Sequence, residues 1–298
     1  MGAKSVPTTI SPPLRSRFAR VPDGLALHAL DWGPESPEAV VCLAGISRNA
    51  LDFLALAEAL AADGRRVFAP DYRGRGESDW DGERRYAIPV EVADVVAQLD
   101  EAGIRRAVLV GTSRGGLNAM VLAPTRRDLV AGIVLNDIGP VIDNSGLVRI
   151  SRNLGSQAAP ADYAAAAAAI KASQAAQFPA LGDPDWDAWA RFVFRQTDAG
   201  LARRYDPAVT RLFDGVAAGQ PSPENWPSFD ALDGIPLMSI RGSTSDLFSA
   251  ATQAEMARRR PDMDVLVVPG QGHAPLLRDV PTVAAIRAFV DRHLSAPR

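Results

Sequence analysis

Gly111, Ser113 and Gly115 stand in the stretch VLVGTSRGG, residues 108–116, where four strand-forming residues run straight into a turn rich in glycine. A serine there is either the tight-turn residue of an ordinary strand-to-helix connection or a nucleophile held up on a strained bend. The pattern GxSxG between an apolar strand and a helix fits the nucleophile, and small flanking residues are needed because so sharp a bend leaves no room for bulk. A serine hydroxyl attacks poorly until a base takes its proton. The chain must therefore bring a histidine to Ser113.

Only His28, His273 and His293 are available. His273 lies in VVPGQGHAP, directly after the last predicted strand, on a glycine-rich loop that can reach over a sheet. His28 falls within an early strand and His293 within a terminal helix, where packing or surface roles suffice. The imidazole in turn needs an acceptor to hold its tautomer. Asp246, in the loop GSTSDLFS after the strand IPLMSIRG, is the favoured acid, and its rival is Asp137 at the end of the preceding strand in VLNDIGP. Negative charge developing on a substrate oxygen needs aimed donors, each worth ~3 kcal/mol of barrier. The backbone N–H groups of Arg114, next after the serine, and of Ile46, in LAGISRN (43–49), are the candidates.

These groups must be carried by rigid elements. Eight apolar runs read as strands: 17–21, 25–32, 39–44, 65–71, 106–111, 129–137, 235–242 and 264–270. Helical spacing at 51–64, 90–103, 113–124, 249–260 and 280–294 alternates with most of them. That rhythm predicts an α/β fold, a mainly parallel sheet of about eight strands covered by helices on both faces. Ligands in such sheets sit at the carboxyl ends of the strands. Between residues 139 and 233 the rhythm breaks into Ala-rich helical stretches, with no clear strand. The expected organisation is a flexible arm over 1–14, a core domain from 15–138 and 234–298, and a helical cap over 139–233. Trp186, Trp189 and Phe192 repeat at about the helical period, so they share one face. Packing of the cap onto the main domain explains that face, and part of it is a candidate lining for an apolar substrate pocket.

Composition narrows the field further. A net charge of −3 leaves no electrostatic footprint for nucleic acid. The single cysteine, Cys42, sits in an apolar run and reads as a buried thiol, and three histidines make a His-rich metal site improbable, so no metal is expected. No apolar run approaches the ~20 residues of a membrane span, and residues 1–18 lack the apolar stretch of a signal peptide. The expected location is the cytoplasm, as a monomer or homodimer with a small-molecule partner and neither nucleic acid nor membrane.

Jointly, GISRN (45–49), DYRGRGESD (71–79), GTSRGG (111–116), VLNDIGP (134–140), RGSTSDLFS (241–249) and GQGHAP (270–275) resemble the α/β-hydrolase superfamily, in particular bacterial cap-bearing serine hydrolases. The order Ser113, Asp246, His273 is the order of that superfamily. The resemblance implies an α/β-hydrolase fold with an inserted helical cap and no cofactor. Two positions depart from the pattern: Ala44 stands where many members carry a histidine, and Arg114 where Met or Leu is common. The Arg114 side chain is expected to form an internal salt bridge to the cap or to an aspartate, its alternative being an acidic group of a substrate. Arg73, Arg75 and Asp79 read as parts of a structural loop.

The function implied is hydrolysis of a small or medium carboxylic ester through an acyl-enzyme. Lactone opening and cleavage of a C–C bond beside a ketone use the same triad, and a ligand receptor on a hydrolase fold is the alternative from another class. Epoxide and haloalkane hydrolysis are disfavoured, because those members carry an aspartate where this chain has Ser113.

Overall fold

A computed structural model describes residues 13–155, 159–217 and 222–296. The first hairpin pairs β1 (Leu14–Arg20) with β2 (Ala26–Trp32), and the chain then alternates strand and helix: β3 (Glu38–Leu43), α1 (Leu54–Ala62), β4 (Val67–Pro70), α2 (Ile88–Glu101), β5 (Arg106–Thr112), α3 (Arg114–Thr125) and β6 (Val130–Asn136). An inserted block follows, with α4 (Asn144–Gly155), α5 (Tyr163–Gln174), α6 (Asp183–Val193), β7 (Phe194–Thr197), β8 (Gly200–Arg203), α7 (Asp214–Ala217) and α8 (Trp226–Asp230). The alternation resumes in β9 (Leu237–Gly242), α9 (Ala250–Arg259), β10 (Asp264–Val268) and α10 (Val280–His293).

Eight strands form one sheet in the order β1-β2-β4-β3-β5-β6-β9-β10. Within this sheet β2 runs antiparallel to β1 and β4, and β4, β3, β5, β6, β9 and β10 are mutually parallel. The near-continuous apolar runs of the inner strands follow from burial on both faces. Val41, Leu43, Leu109 and Leu135 pack against Val95 and Leu99 of α2 and Met120 and Leu122 of α3. Their alternating neighbours Val40, Cys42, Val108 and Val110 face Leu56 and Leu60 of α1 and Ile286 and Phe289 of α10. Cys42 is fully buried, which pushes its thiol pKa up and leaves it protonated.

Two expectations need correction. Residues 1–12 of the expected arm lie outside the described residues, but Leu14 already belongs to β1 and pairs with Trp32. The inserted block also contains a strand pair, β7 against β8, where none was expected. Each strand is only four residues long and mixed in polarity, FRQT and GLAR, so neither carries a period-two signal. The reversal is made by Asp198, Ala199 and a left-handed Gly200 at φ 108°.

The Ala-rich stretch forms α5, capped by Asp162, whose side chain accepts from Ala165 N–H at 2.8 Å. Ala166 and Ala167 are buried there with Phe178, Trp186, Ala190, Phe194 and Leu201 in a separate small core. The block is tied back to the sheet domain by polar contacts. Asn49 Nδ2 donates to the Phe192 carbonyl at 2.8 Å, and the Tyr86 hydroxyl donates to Asp206 at 2.5 Å.

Candidate active site

β5 delivers its last residues to a bend at which Ser113 adopts φ 52° and ψ −116°, and α3 begins at the next residue. This left-handed backbone is costly for a residue with a side chain and persists because its surroundings over-determine it. Ser113 N–H donates to the Asn136 carbonyl at 3.0 Å and Gly116 N–H to the Ser113 carbonyl at 2.9 Å. The flanking glycines are close-approach positions: a Cβ on Gly115 would lie 2.0 Å from the Leu43 carbonyl oxygen, and one on Gly111 2.6 Å from the Gly115 backbone. The strand, bend and helix of the serine motif are therefore interlocked at van der Waals contact.

His273 reaches this bend from the loop after β10. Its Nε2 lies 2.8 Å from Ser113 Oγ, and its Nδ1 lies 2.8 Å from Asp137 Oδ2. An ionised carboxylate only accepts, which puts the ring proton on Nδ1 and leaves Nε2 as the acceptor for the serine hydroxyl. Asp137 follows β6 with φ 56° and is fully buried. Its Oδ1 accepts from Gly242 N–H at 2.7 Å and its Oδ2 from the Ser245 hydroxyl at 2.5 Å. Ser113, Gly242 and Ser245 thus hold two bonded side chains whose positions in the chain differ by 136.

Asp246, favoured from the sequence, is elsewhere. Arg149 of α4 donates to both its carboxylate oxygens, at 2.7 and 2.8 Å. Burial opposes its ionisation, but these bonds prevail and hold its carboxyl below the usual range. The reason is local. In the loop after β9 it is Ser245 that turns toward Asp137, and the next side chain turns toward the inserted block. Sheet order works the same way, because β6 lies directly beside β5 whereas β9 is one strand further out.

The loop after β3 passes beside the serine, with a Cβ built on Gly45 only 3.9 Å from Ser113 Cβ. Neither the Ile46 nor the Arg114 backbone N–H donates to another described residue, and both residues line the same cavity as Ser113. Arg75 reaches under this loop and donates from Nε to the Ile46 carbonyl at 2.9 Å. The cavity measures about 310 Å³. Ile138, Ile142, Leu147, Ile150, Leu212 and Leu247 make its wall apolar, and it opens between the sheet domain and the inserted block.

Trp186, Trp189 and Phe192 are not among the residues lining this cavity. Trp186 is 1% exposed in the block's own core, stacked on Trp189 at 5.7 Å, and Trp189 lies beneath Arg48 at 5.2 Å. Trp186 and Trp189 belong to the block's own core, and branched aliphatic residues form the pocket instead. The Arg114 side chain donates from Nε to Glu91 at 2.9 Å and from Nη2 to the Tyr86 carbonyl at 2.7 Å, so its salt bridge is internal, but the partner is a glutamate on α2 of the sheet domain and not the cap or an aspartate. Arg73 is shared by Asp94, Asp81 and Asp23, and Asp79 accepts from Ala26 N–H, in keeping with a structural loop. His28 is buried against Asp71 and Ser16, and His293 packs on Phe289.

Three supporting groups carry no sequence signal. Gln177 of the inserted block accepts from His273 N–H at 2.8 Å. Ser245 fixes Asp137, and Asn136 donates to Thr112 Oγ1 at 3.0 Å and to the Pro275 carbonyl at 2.9 Å, joining the serine bend to the histidine loop. Among the described residues, no group of three His, Cys, Asp or Glu side chains is placed to hold a metal ion, and no helix is long and apolar enough to cross a membrane.

An eight-strand, mostly parallel sheet with a serine bend after its central strand defines the α/β-hydrolase class. The chain belongs to the alpha/beta hydrolase family, whose model matches residues 40–286. It is 32% identical over 276 residues to the 3-hydroxybutyrate-oligomer hydrolase of Cupriavidus necator, covering 89% of this chain and 92% of that protein. It is 29% identical over 252 residues to the 2-(acetamidomethylene)succinate hydrolase of Mesorhizobium japonicum, covering 83% and 86%. The crystal structure of an alpha/beta hydrolase from Novosphingobium aromaticivorans superposes with a TM-score of 0.86 at 37% identity, covering 94% of this chain and 98% of that one.

Proposed function

We propose that the protein is a serine hydrolase that cleaves a small or medium carboxylic ester through an acyl-enzyme, with Ser113 as nucleophile, His273 as general base and acid, and Asp137 as the acid that orients it. The observation that carries this reading is the pair of 2.8 Å contacts that His273 makes, one to the Ser113 hydroxyl and one to the Asp137 carboxylate. Ser113 Oγ attacks the ester carbonyl while Nε2 takes its proton, and the imidazolium is stabilised by the buried Asp137. The Ile46 and Arg114 N–H groups bind the developing oxyanion. Nε2 returns the proton to the leaving alcohol, and water attacks the acyl-enzyme by the same route to release the acid.

The branched aliphatic cavity suits a short acyl or alcohol portion. Given the named activity of the Cupriavidus relative, 3-hydroxybutyrate oligomers belong in the first substrate panel, with p-nitrophenyl esters, lactones and vinylogous diketones. Turnover by the wild type and its loss in Ser113→Ala tests the mechanism. A fluorophosphonate adduct, located on Ser113 by peptide mass, tests the nucleophile independently of substrate choice. Full activity of Ser113→Ala on every substrate removes the proposal.

A further inference from the structure

Among the described residues lining the cavity, Arg114 is the only charged one, and every other side chain there is apolar or a small neutral group. Its charge is not cancelled locally. Glu91 Oε1 accepts from Arg75 Nη2 at 2.7 Å and Glu91 Oε2 from Arg114 Nε at 2.9 Å, so one buried carboxylate serves two guanidiniums. Arg75 and Glu91 are fully buried, whereas the Arg114 side chain retains 12% exposure. The carboxylate of Asp206 accepts from the Tyr86 hydroxyl instead.

Arg114 is also badly placed for structural purposes. It is the first residue of α3, where the helix dipole disfavours a cation. Its Nε and Nη2 are held by Glu91 and Tyr86, which fixes the plane of the guanidinium, while Nη1 has no hydrogen-bond partner among the described residues. A rigid guanidinium with free N–H groups, adjoining Ser113 in an apolar cavity, is a receptor for an anion with the planar geometry of a carboxylate.

Building on the hydrolase reading, we propose that Arg114 selects esters that carry a free carboxylate, with its Nη1 binding that group while the ester carbonyl faces Ser113. The side chain acts here as a specificity determinant, separately from the backbone N–H of the same residue. The acid can sit on either side of the scissile ester, so two matched pairs test it: monoethyl glutarate against ethyl pentanoate, and 3-acetoxybutanoate against 2-butyl acetate. In the wild type, kcat/KM for the acidic member of at least one pair exceeds that of its neutral partner by about 10- to 100-fold, the range of a charge-assisted bond.

Because Arg114→Gln also touches the Glu91 cluster, the readout is the ratio within a pair rather than absolute activity. Arg114→Gln brings the ratio close to one, chiefly through KM for the acidic ester, and Arg114→Lys restores part of it. Two results overturn the inference: neutral esters matching acidic ones in both pairs, or a preference that survives Arg114→Gln unchanged. Ser113→Ala assayed on the neutral esters keeps the two readings apart. Its loss of turnover sustains the hydrolase mechanism even where the acid preference fails.

Discussion

Asp246 and Arg149 are joined through both carboxylate oxygens, at 2.7 and 2.8 Å, so the aspartate in the more familiar triad position instead ties the inserted block to the loop after β9. Asp137 meets His273 in its place. Both aspartates lie between Ser113 and His273 in the chain, so chain order admits either. Asp137→Asn is expected to lower kcat by about 10³- to 10⁴-fold, because an amide cannot hold the productive tautomer. Asp246→Asn removes a partly exposed ion pair worth under ~1 kcal/mol and changes kcat by less than about fivefold. Steady-state kinetics on one good ester decides between them, and the reverse ranking returns the role to Asp246.

The Ser113 backbone offers a stability test that needs no substrate. At φ 52° and ψ −116° a side chain is strained, and glycine is not. Ser113→Ala and Ser113→Gly both lose the hydroxyl bond to His273, so their difference isolates the strain. Ser113→Gly is expected to be more stable than Ser113→Ala by at least ~1 kcal/mol, a rise of about 2–4 °C in melting temperature. Calorimetry showing equal or inverted midpoints contradicts a strained bend.

Gly115 is the tightest point of that bend, with space for a Cβ only 2.0 Å from the Leu43 carbonyl oxygen. The obstacle is backbone of β3 and cannot rotate away. Gly115→Ala should cost about 3 kcal/mol or more by overpacking. Urea unfolding measures it directly, with a wild-type midpoint as the disproving result.

Among the described residues, Glu91 is the only anion bonded to Arg75 and Arg114. Glu91→Gln keeps its shape but leaves a fully buried guanidinium without its counter-charge, and is expected to destabilise the fold by about 3–5 kcal/mol. The same variant loosens the grip of Arg75 on the Ile46 carbonyl, so kcat falls as well. Denaturant unfolding combined with kinetics below the transition checks both effects.

Much of the fold was legible because its causes are local. β-branched runs such as AVVCLA and RAVLVG can be buried only as inner strands, and their alternation with helical spacing implies a parallel sheet. The serine motif was legible for the same reason, since Gly111, Ser113 and Gly115 lie within one bend. What escaped was made by contacts distant in sequence or by strands too short to show a period. The β7–β8 pair consists of four-residue strands. Trp186 and Trp189 share a helical face, but periodicity does not say which neighbour that face meets, and here it meets Phe178 and the block's own core.

By itself the sequence determined that a serine would stand on a sharp strand-to-helix bend and that His273 was the histidine free to approach it, because both depend on residue type and immediate neighbours. Tertiary structure alone decided which carboxylate His273 meets, that Gln177 steadies its loop, and that Arg114 shares one carboxylate with Arg75 at the edge of an apolar cavity. Each of those outcomes turns on strand order and on which way a side chain leaves its loop. Such quantities arise only once folding has brought residues from separate elements together, as with Asp137 and His273, 136 positions apart.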